Sequence, residues 1–333
     1  MGERKIGLVL TIALAVVVLC GVSAALLLFD PRTTGADALR TGGLAAGSVV
    51  ALYALWLNDR RRRVEEERQT LERRRTDLER DRVADERFAR AIELLGHETD
   101  QVRVGALHAL AGLAHSNPGQ VQTVLDVLCS YLRRPFQHPR YSSSSTGWTP
   151  EQSDEAERQL QVRLTAQRLI ADLLPGADDI DAPVYDLDLT GATLEYFELS
   201  DRKVGTVLLR YAHLFSSNNL SRSVFHGHVY FSRSTFGTGR LSGRFRCDDA
   251  VFHRRAWFPG VHFGGPVRCQ RSTFRGPAKF ADSTFTDEVT LAGSAFEDLA
   301  DFDGVLFQQA PNLDGTSGAG EVPTGTSPAP QQS

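Results

Sequence analysis

The side chains that could do chemistry are few and dispersed. His226 and His228 stand as an HGH triplet, with His253 and His262 further on, each among turn-forming residues that place it outward. Two imidazoles so spaced could hold a metal only transiently, because a stable site needs more ligands converging. The four cysteines, Cys20, Cys129, Cys247 and Cys269, form neither a C-x-x-C pair nor a Cys/His cluster at metal-ligand spacing. They point to neither a zinc site nor a disulfide framework. Gly237-Thr238-Gly239 lacks the strand and helix that a phosphate-binding loop requires, and no Walker A motif or nucleophile signature is present. The expectation is a protein without enzymatic activity, cofactor or metal.

What remains is outward charge. The chain of 333 residues has 37 basic and 41 acidic side chains, so its total charge names no partner. Its distribution is uneven. Arg202 to Lys279 holds 14 basic residues against Asp248 and Asp249 alone, while Asp282 to Asp303 holds seven acidic residues and no basic one. Asp186 to Asp201 is likewise acidic. Arg222, Arg233, Arg244, Arg246, Arg255 and Arg268 are the candidate contacts to an anionic partner. They form pairs separated by two periods of eleven: Arg222/Arg244, Arg246/Arg268 and Arg233/Arg255.

The elements that must carry these residues begin with a membrane-like end. Ile6 to Phe29 is a run of 24 uncharged residues, about 36 Å long as a helix at roughly 1.5 Å per residue, enough for a bilayer core. Thr41 to Leu57 is a second, shorter uncharged run, with Gly42, Gly43, Ala46 and Gly47 offering a small-residue face to the first. Residues 1–58 are therefore expected to form a transmembrane hairpin with spans at about 6–29 and 41–57. Arg4 and Lys5 precede it, and Arg60 to Arg63 follow it. The positive-inside rule then places both termini and the soluble domains in the cytoplasm, with all thiols reduced.

Residues 59–90 carry 22 charges in 32 positions, with i,i+4 pairs such as Arg68–Glu72 that support a solvated helical stalk. Val64, Leu71 and Leu78 recur every seventh position, without the second apolar row of a strong coiled coil. Residues 91–176 show helical periodicity. "QVRVGALHALAGLA" from Gln101 is echoed by "QVRLTAQRLIADLL" from Gln161, which resembles stacked HEAT or armadillo-type helices; a small capping bundle reads equally well. Phe136 to Gln152, rich in serine, reads as a flexible linker.

From residue 184 to 307 the period changes to that of neither helix nor strand. Val184, Leu189, Leu194, Leu199, Val204, Leu209 and Leu214 lie five apart. Two series of period eleven then interleave. One is Phe225, Phe236, Cys247, Phe258, Cys269, Phe280, Leu291 and Phe302; the other is Leu241, Phe252, Phe263, Phe274, Phe285, Phe296 and Phe307. Small residues such as Ala250, Ser272 and Ser283 stand two positions earlier.

"GATLE", "CDDAVF" and "ADSTF" resemble the pentapeptide-repeat family, here in a Phe-rich variant with alternating five- and six-residue steps and of a bacterial membrane-anchored type. The resemblance implies a right-handed quadrilateral β-helix with the large residue inward. About six coils would follow, each two periods of eleven long, with Cys247 and Cys269 vertical neighbours, Phe225 below and Leu291 above. The fold class expected is thus α+β and multi-domain: transmembrane hairpin, helical stalk and block, β-helix, and a disordered tail over 308–333.

The function expected is a non-enzymatic scaffold on the bacterial inner membrane, binding a protein or an anionic lipid surface. The family's DNA-mimicking, gyrase-protecting branch is the first alternative, disfavoured by the basic middle of the rod. An accessory subunit of a membrane transport or signalling complex is the second.

Overall fold

The computed structural model describes residues 2–29, 34–142, 147–238 and 241–323; the side chains of 2–9, 26, 29, 60–68, 77 and 238 are outside the description. The chain divides into two compact units, Met1–Val83 and Ala84–Ser333. The first holds helix α1 (Gly2–Phe29) and most of helix α2 (Gly35–Leu95). Where they touch, Ser23 Oγ donates to the Ala38 carbonyl at 3.0 Å. A Cβ at Gly42 would meet the Leu19 carbonyl oxygen at 2.8 Å, so only glycine fits there, while Gly43 and Gly47 face open space. Of the three glycines in the expected small-residue face, Gly42 alone makes the approach. Among the described residues one segment, Gly35–Asp59, is long and apolar enough to cross a membrane; the apolar Leu10–Ala25 is shorter. Leu71 and Leu78 of the stalk are exposed.

The second unit begins with the end of α2, followed by helices α3 (Asp100–Ser116), α4 (Val121–Arg133) and α5 (Pro150–Leu173), which pack on one another. Pro118 opens a short 3-10 turn that leads into α4. Thr149 and Gln152 cap α5 reciprocally, at 3.3 and 3.1 Å, with Pro150 at its first turn. This satisfies amides that a helix start leaves unpaired.

The remainder is a right-handed β-solenoid of about five turns, against the six expected. Its short parallel strands stack into four faces. Face 1 runs from Leu187–Asp188 up to Ala300–Asp301, and face 2 from Thr193–Glu195 up to Leu306–Phe307. Face 3 stacks Ser216–Asn219, Gly243–Arg246, Val267–Arg268 and Val289–Thr290, and face 4 runs from Lys203–Val204 up to Ala295–Phe296. Inward side chains form one column per face. Face 1 has Leu189, Leu209, Phe231, Phe258, Phe280 and Phe302; face 2 has Leu194, Leu214, Phe236, Phe263, Phe285 and Phe307; all are buried. Face 4 has Val204, Phe225, Phe252, Phe274 and Phe296, and face 3 has Leu199, Leu220, Cys247, Cys269 and Leu291. Rings one coil apart lie nearly parallel, as in Phe252–Phe274 at 4.8 Å and Phe263–Phe285 at 4.6 Å. That matches the spacing of hydrogen-bonded strands.

The length of a coil changes along the rod. On face 1 Leu187 pairs with Val207, Val207 with Val229, Val229 with Ala256, and Ala256 with Ala278. The third of these steps is the longest, by five, and the first is the shortest. The long coil contains an antiparallel hairpin in which Gly237 faces Ser242 and Thr238 faces Leu241. Gly237 thus begins a hairpin instead of turning a corner. Leu241 belongs to the hairpin and not to the inward ladder, and the face 3 slot falls to Cys247 instead. The added length equals one repeat, so the sequence period runs on unbroken while the register slips by one side. Cys247 therefore stands over Leu220, and Phe225 lies under Phe252. Cys247 and Cys269 are vertical neighbours with Cα atoms 4.6 Å apart, and they are joined as a disulfide where two thiols were expected. Stacking within one column brings the sulfurs into reach.

Two further expectations fail at the ends of the rod. Val184 is exposed, and the first strand begins at Leu187, after an isolated bridge from Gly176 to Arg202. Beyond Phe307 the coil continues, with Asn312 bridging Thr290, Ser317 bridging Ala295, and Leu313 packed on the core. The tail expected to begin at 308 thus starts with ordered coil; residues 324–333 lie outside the description.

Candidate interaction surfaces

The first candidate surface is the junction of helices and coil. The segment expected as a flexible linker is docked instead: Phe136 and His138 are buried, and the Tyr141 ring stacks on Phe215 at 4.0 Å. The Ser142–Ser145 part of that expectation lies, beyond Ser142, outside the described residues. Beneath the strap, the buried Glu195 carboxylate accepts from Tyr141 Oη at 2.8 Å, Ser216 Oγ at 2.8 Å and Arg140 Nη1 at 3.3 Å. Burial, then the Glu195 hydrogen bond, raises the Tyr141 phenol above its ordinary pKa, so it stays a donor. Burial also lowers the His138 pKa, keeping the imidazole neutral.

Arg163 lies on the same junction, almost wholly enclosed. It donates to the carbonyls of Leu132, Arg134 and Thr193, closing the end of α4 onto the first coil. Burial lowers its pKa to about 10, which leaves it charged near neutrality. The two arginines of the repeated Q-V-R motif thus differ: Arg103 pairs with Asp100, three positions before it. Sequence reasoning flagged neither Arg163 nor Glu195. A charged residue inside an otherwise apolar helical stripe was the available signal for the first.

Among the described residues the axis of the rod is filled. The columns leave only about 10 Å³ free among Phe258, Phe274, Phe285 and their neighbours. Buried serines at the small positions complete the backbone ladder: Ser283 Oγ accepts from Val261 N at 3.1 Å and donates to the Phe258 carbonyl. On face 3 the small position holds Phe245, Val267 or Val289. Phe245 packs on Phe236 at 5.0 Å and Phe231 at 5.6 Å, and this bulk explains why small cysteines fill the adjacent column.

Of the arginine pairs, only Arg246/Arg268 stacks. The hairpin breaks the other two: Arg244 lies over Ser217, and Arg233 lies beneath the Pro259–Gly260 turn. Arg222 lies on an edge of left-handed corner residues, Asp201, Arg222, Asp249 and Arg271, with φ from 54° to 59°. Arg222 grips Asp201 through two bonds of 2.6 Å, and Arg271 grips Asp249 through two of 2.7 Å. Each aspartate is held below the usual carboxylate range by its arginine. Arg268 bonds Asp248 at 2.6 Å. Arg222 and Arg268 are therefore neutralised internally, whereas Arg255 lies over the Trp257 ring with Cζ 5.3 Å from its centroid.

The histidines do not converge on a metal. His226 and His253 stack at 4.8 Å on face 4, with Arg275 at 3.4 Å from His253. Among the described residues no group of three or more His, Cys, Asp or Glu could hold one.

A family model described as pentapeptide repeats in nine copies matches residues 270–317. Over that stretch the solenoid matches the pentapeptide-repeat family. The matched stretch begins above the hairpin, where the step from coil to coil no longer changes. No curated protein and no solved structure matches the chain.

Proposed function

We propose that the protein is a membrane-anchored, non-enzymatic scaffold on the bacterial inner membrane, multi-pass and with its helical block and solenoid in the cytoplasm. The observation that carries this reading is the filled rod: its interior is stacked rings and its exterior is an array of ordered charged and aromatic side chains. Anchoring is supported by the apolar helix Gly35–Asp59 and by Leu10–Ala25. Orientation rests on Arg60 to Arg63 following the apolar runs, and the Cys247–Cys269 disulfide counts against it, since the cytoplasm keeps thiols reduced. The partner is anionic, a protein or a lipid surface. Mimicry of DNA has no support, since Asp201, Asp248 and Asp249 are all bound by arginines of the same chain.

Fractionation tests the anchor: the full chain pellets with membranes and resists carbonate extraction, and a chain beginning at residue 84 stays soluble. Reporter fusions at Thr34 and after Arg90 report outside and inside respectively. Release of the full chain by carbonate, or the opposite reporter pattern, contradicts the reading.

A further inference from the structure

Arginines on the rod differ in their partners. Arg222, Arg268 and Arg271, on face 3 and its edge, each bond an aspartate of the same chain, whereas among the described residues Arg244 and Arg246 of face 3 do not. On face 1 two arginines sit on rings. Arg210 Cζ is 4.4 Å from the Tyr230 centroid, and Arg255 Cζ is 5.3 Å from that of Trp257. The two rings meet edge to face at 5.8 Å and 84°. Tyr230 and Trp257 are consecutive outward residues of face 1, one coil apart. Below them Asp188 is bound by Arg133, and above them Lys279 bonds Asp301 at 2.8 Å. Among the described residues neither Arg210 nor Arg255 has a carboxylate partner, and exposed Arg233 adds charge at the neighbouring corner. The surface is thus two preset guanidiniums on a rigid aromatic step, bracketed by neutral ion pairs.

We infer that this patch of face 1 (Arg210, Tyr230, Arg255 and Trp257) docks an acidic segment of a partner protein, a deepening that rests on the scaffold reading. Three observations select that occupant. Guanidinium forks match carboxylates bidentately, and a ring beneath them holds the fork in place at low entropic cost. The same chain shows that pairing twice, at Arg222–Asp201 and Arg271–Asp249. Tyr, Trp and Arg are also the residues that dominate the centres of protein interfaces. Single-stranded nucleic acid fits less well, because bases need open ring faces to stack on. Here the rings are crossed and already carry guanidiniums.

The test uses the full chain in detergent at low salt, with labelled decaglutamate, a ten-nucleotide oligothymidine and phosphatidylglycerol vesicles as probes. Decaglutamate binds, added salt weakens it, and Arg210→Glu/Arg255→Glu loses at least about tenfold in affinity. Arg210→Gln/Arg255→Gln, which adds no new charge, shows a smaller loss of the same sign, and Trp257→Ala also weakens binding. Arg222→Glu, on the saturated edge, binds as wild type. The inference is overturned if decaglutamate does not bind, if Arg222→Glu is equally harmful, or if oligothymidine or vesicles prove the probe that depends on Arg210 and Arg255. Membrane fractionation of the same variants separates the two claims: a chain that binds decaglutamate through face 1 but is not membrane-bound refutes the anchor alone.

Discussion

In the lowest coil the axis is filled by Leu189, Leu194, Leu199 and Val204, and that coil runs only from Leu187 to its partner Val207. Above the hairpin Phe252, Phe258, Phe263, Phe274, Phe280 and Phe285 fill the axis, and the coils are longer, as from Ala256 to Ala278. Both regions exclude water from the axis. In the columns rings stand only above the lowest coil, where two six-residue sides widen the square, although the coil from Val207 to Val229 has that length and still carries Leu209, Leu214 and Leu220. The wide coils also stack their rings at 4.6–5.0 Å, an interaction the aliphatic coils lack.

The largest effect expected from breaking this contrast is at a ring stacked on both sides. Phe263→Ala should cost about 3–5 kcal/mol, since neighbours one coil away are held by hydrogen bonds and cannot collapse into the gap. Thermal melting of the detergent-solubilised chain reads it; a loss below about 1 kcal/mol would mean the upper coils are loosely packed. Exchanging the halves' residues sharpens the point. Leu194→Phe forces a ring into the narrow lowest coil and should cost about 1–3 kcal/mol by overpacking, whereas Phe→Leu at Phe263 leaves a smaller void. Were Leu194→Phe neutral, coil width would not be set by side-chain size.

A smaller effect is expected from removing residues 238–242, which returns the long coil to the length of those above it. The surrounding columns are unchanged, so melting should shift by less than about 1 kcal/mol, typical of surface changes. Collapse of the fold would show that the hairpin is structural. The smallest effect concerns the charged edge. Asp201 and Asp249 have folded pKa values below their unfolded ones, which lie near about 3.9. Their contribution is therefore present above that value and lost as pH falls through the folded pKa. In Arg222→Gln the Asp201 carboxyl should titrate closer to its ordinary range, as NMR titration would show, and added salt should shrink the difference. An unmoved Asp201 would remove the pairing from the account.

The four-sided coil was legible through the resemblance that "GATLE" and "ADSTF" carry, with one large residue every five or six positions. The columns were legible wherever the step stayed regular, as at Cys247 and Cys269. The slip at the hairpin was not, because an insertion one repeat long preserves the period and Leu241 imitates an inward residue. The arginine pairs built on that period failed with it. The junction was hidden for a different reason: Glu195, Tyr141 and Arg163 are far apart in sequence and only the fold brings them together. Face 1 was half visible, with Arg255 among the flagged residues but its ring partner unmarked.

The register above the hairpin is the claim on which face assignments depend, and one cross-linking experiment addresses it. His226 and His253 lie one long coil apart and stack at 4.8 Å, while Arg222 and Arg244, nearer in sequence, lie on different parts of the coil. His226→Cys/His253→Cys should form a disulfide under mild oxidation, identified by mass spectrometry of the linked peptides, and Arg222→Cys/Arg244→Cys should not. The reverse result would mean that the coil at the hairpin is no longer than its neighbours, that Phe225 lies beneath Cys247, and that the four columns described here are wrong.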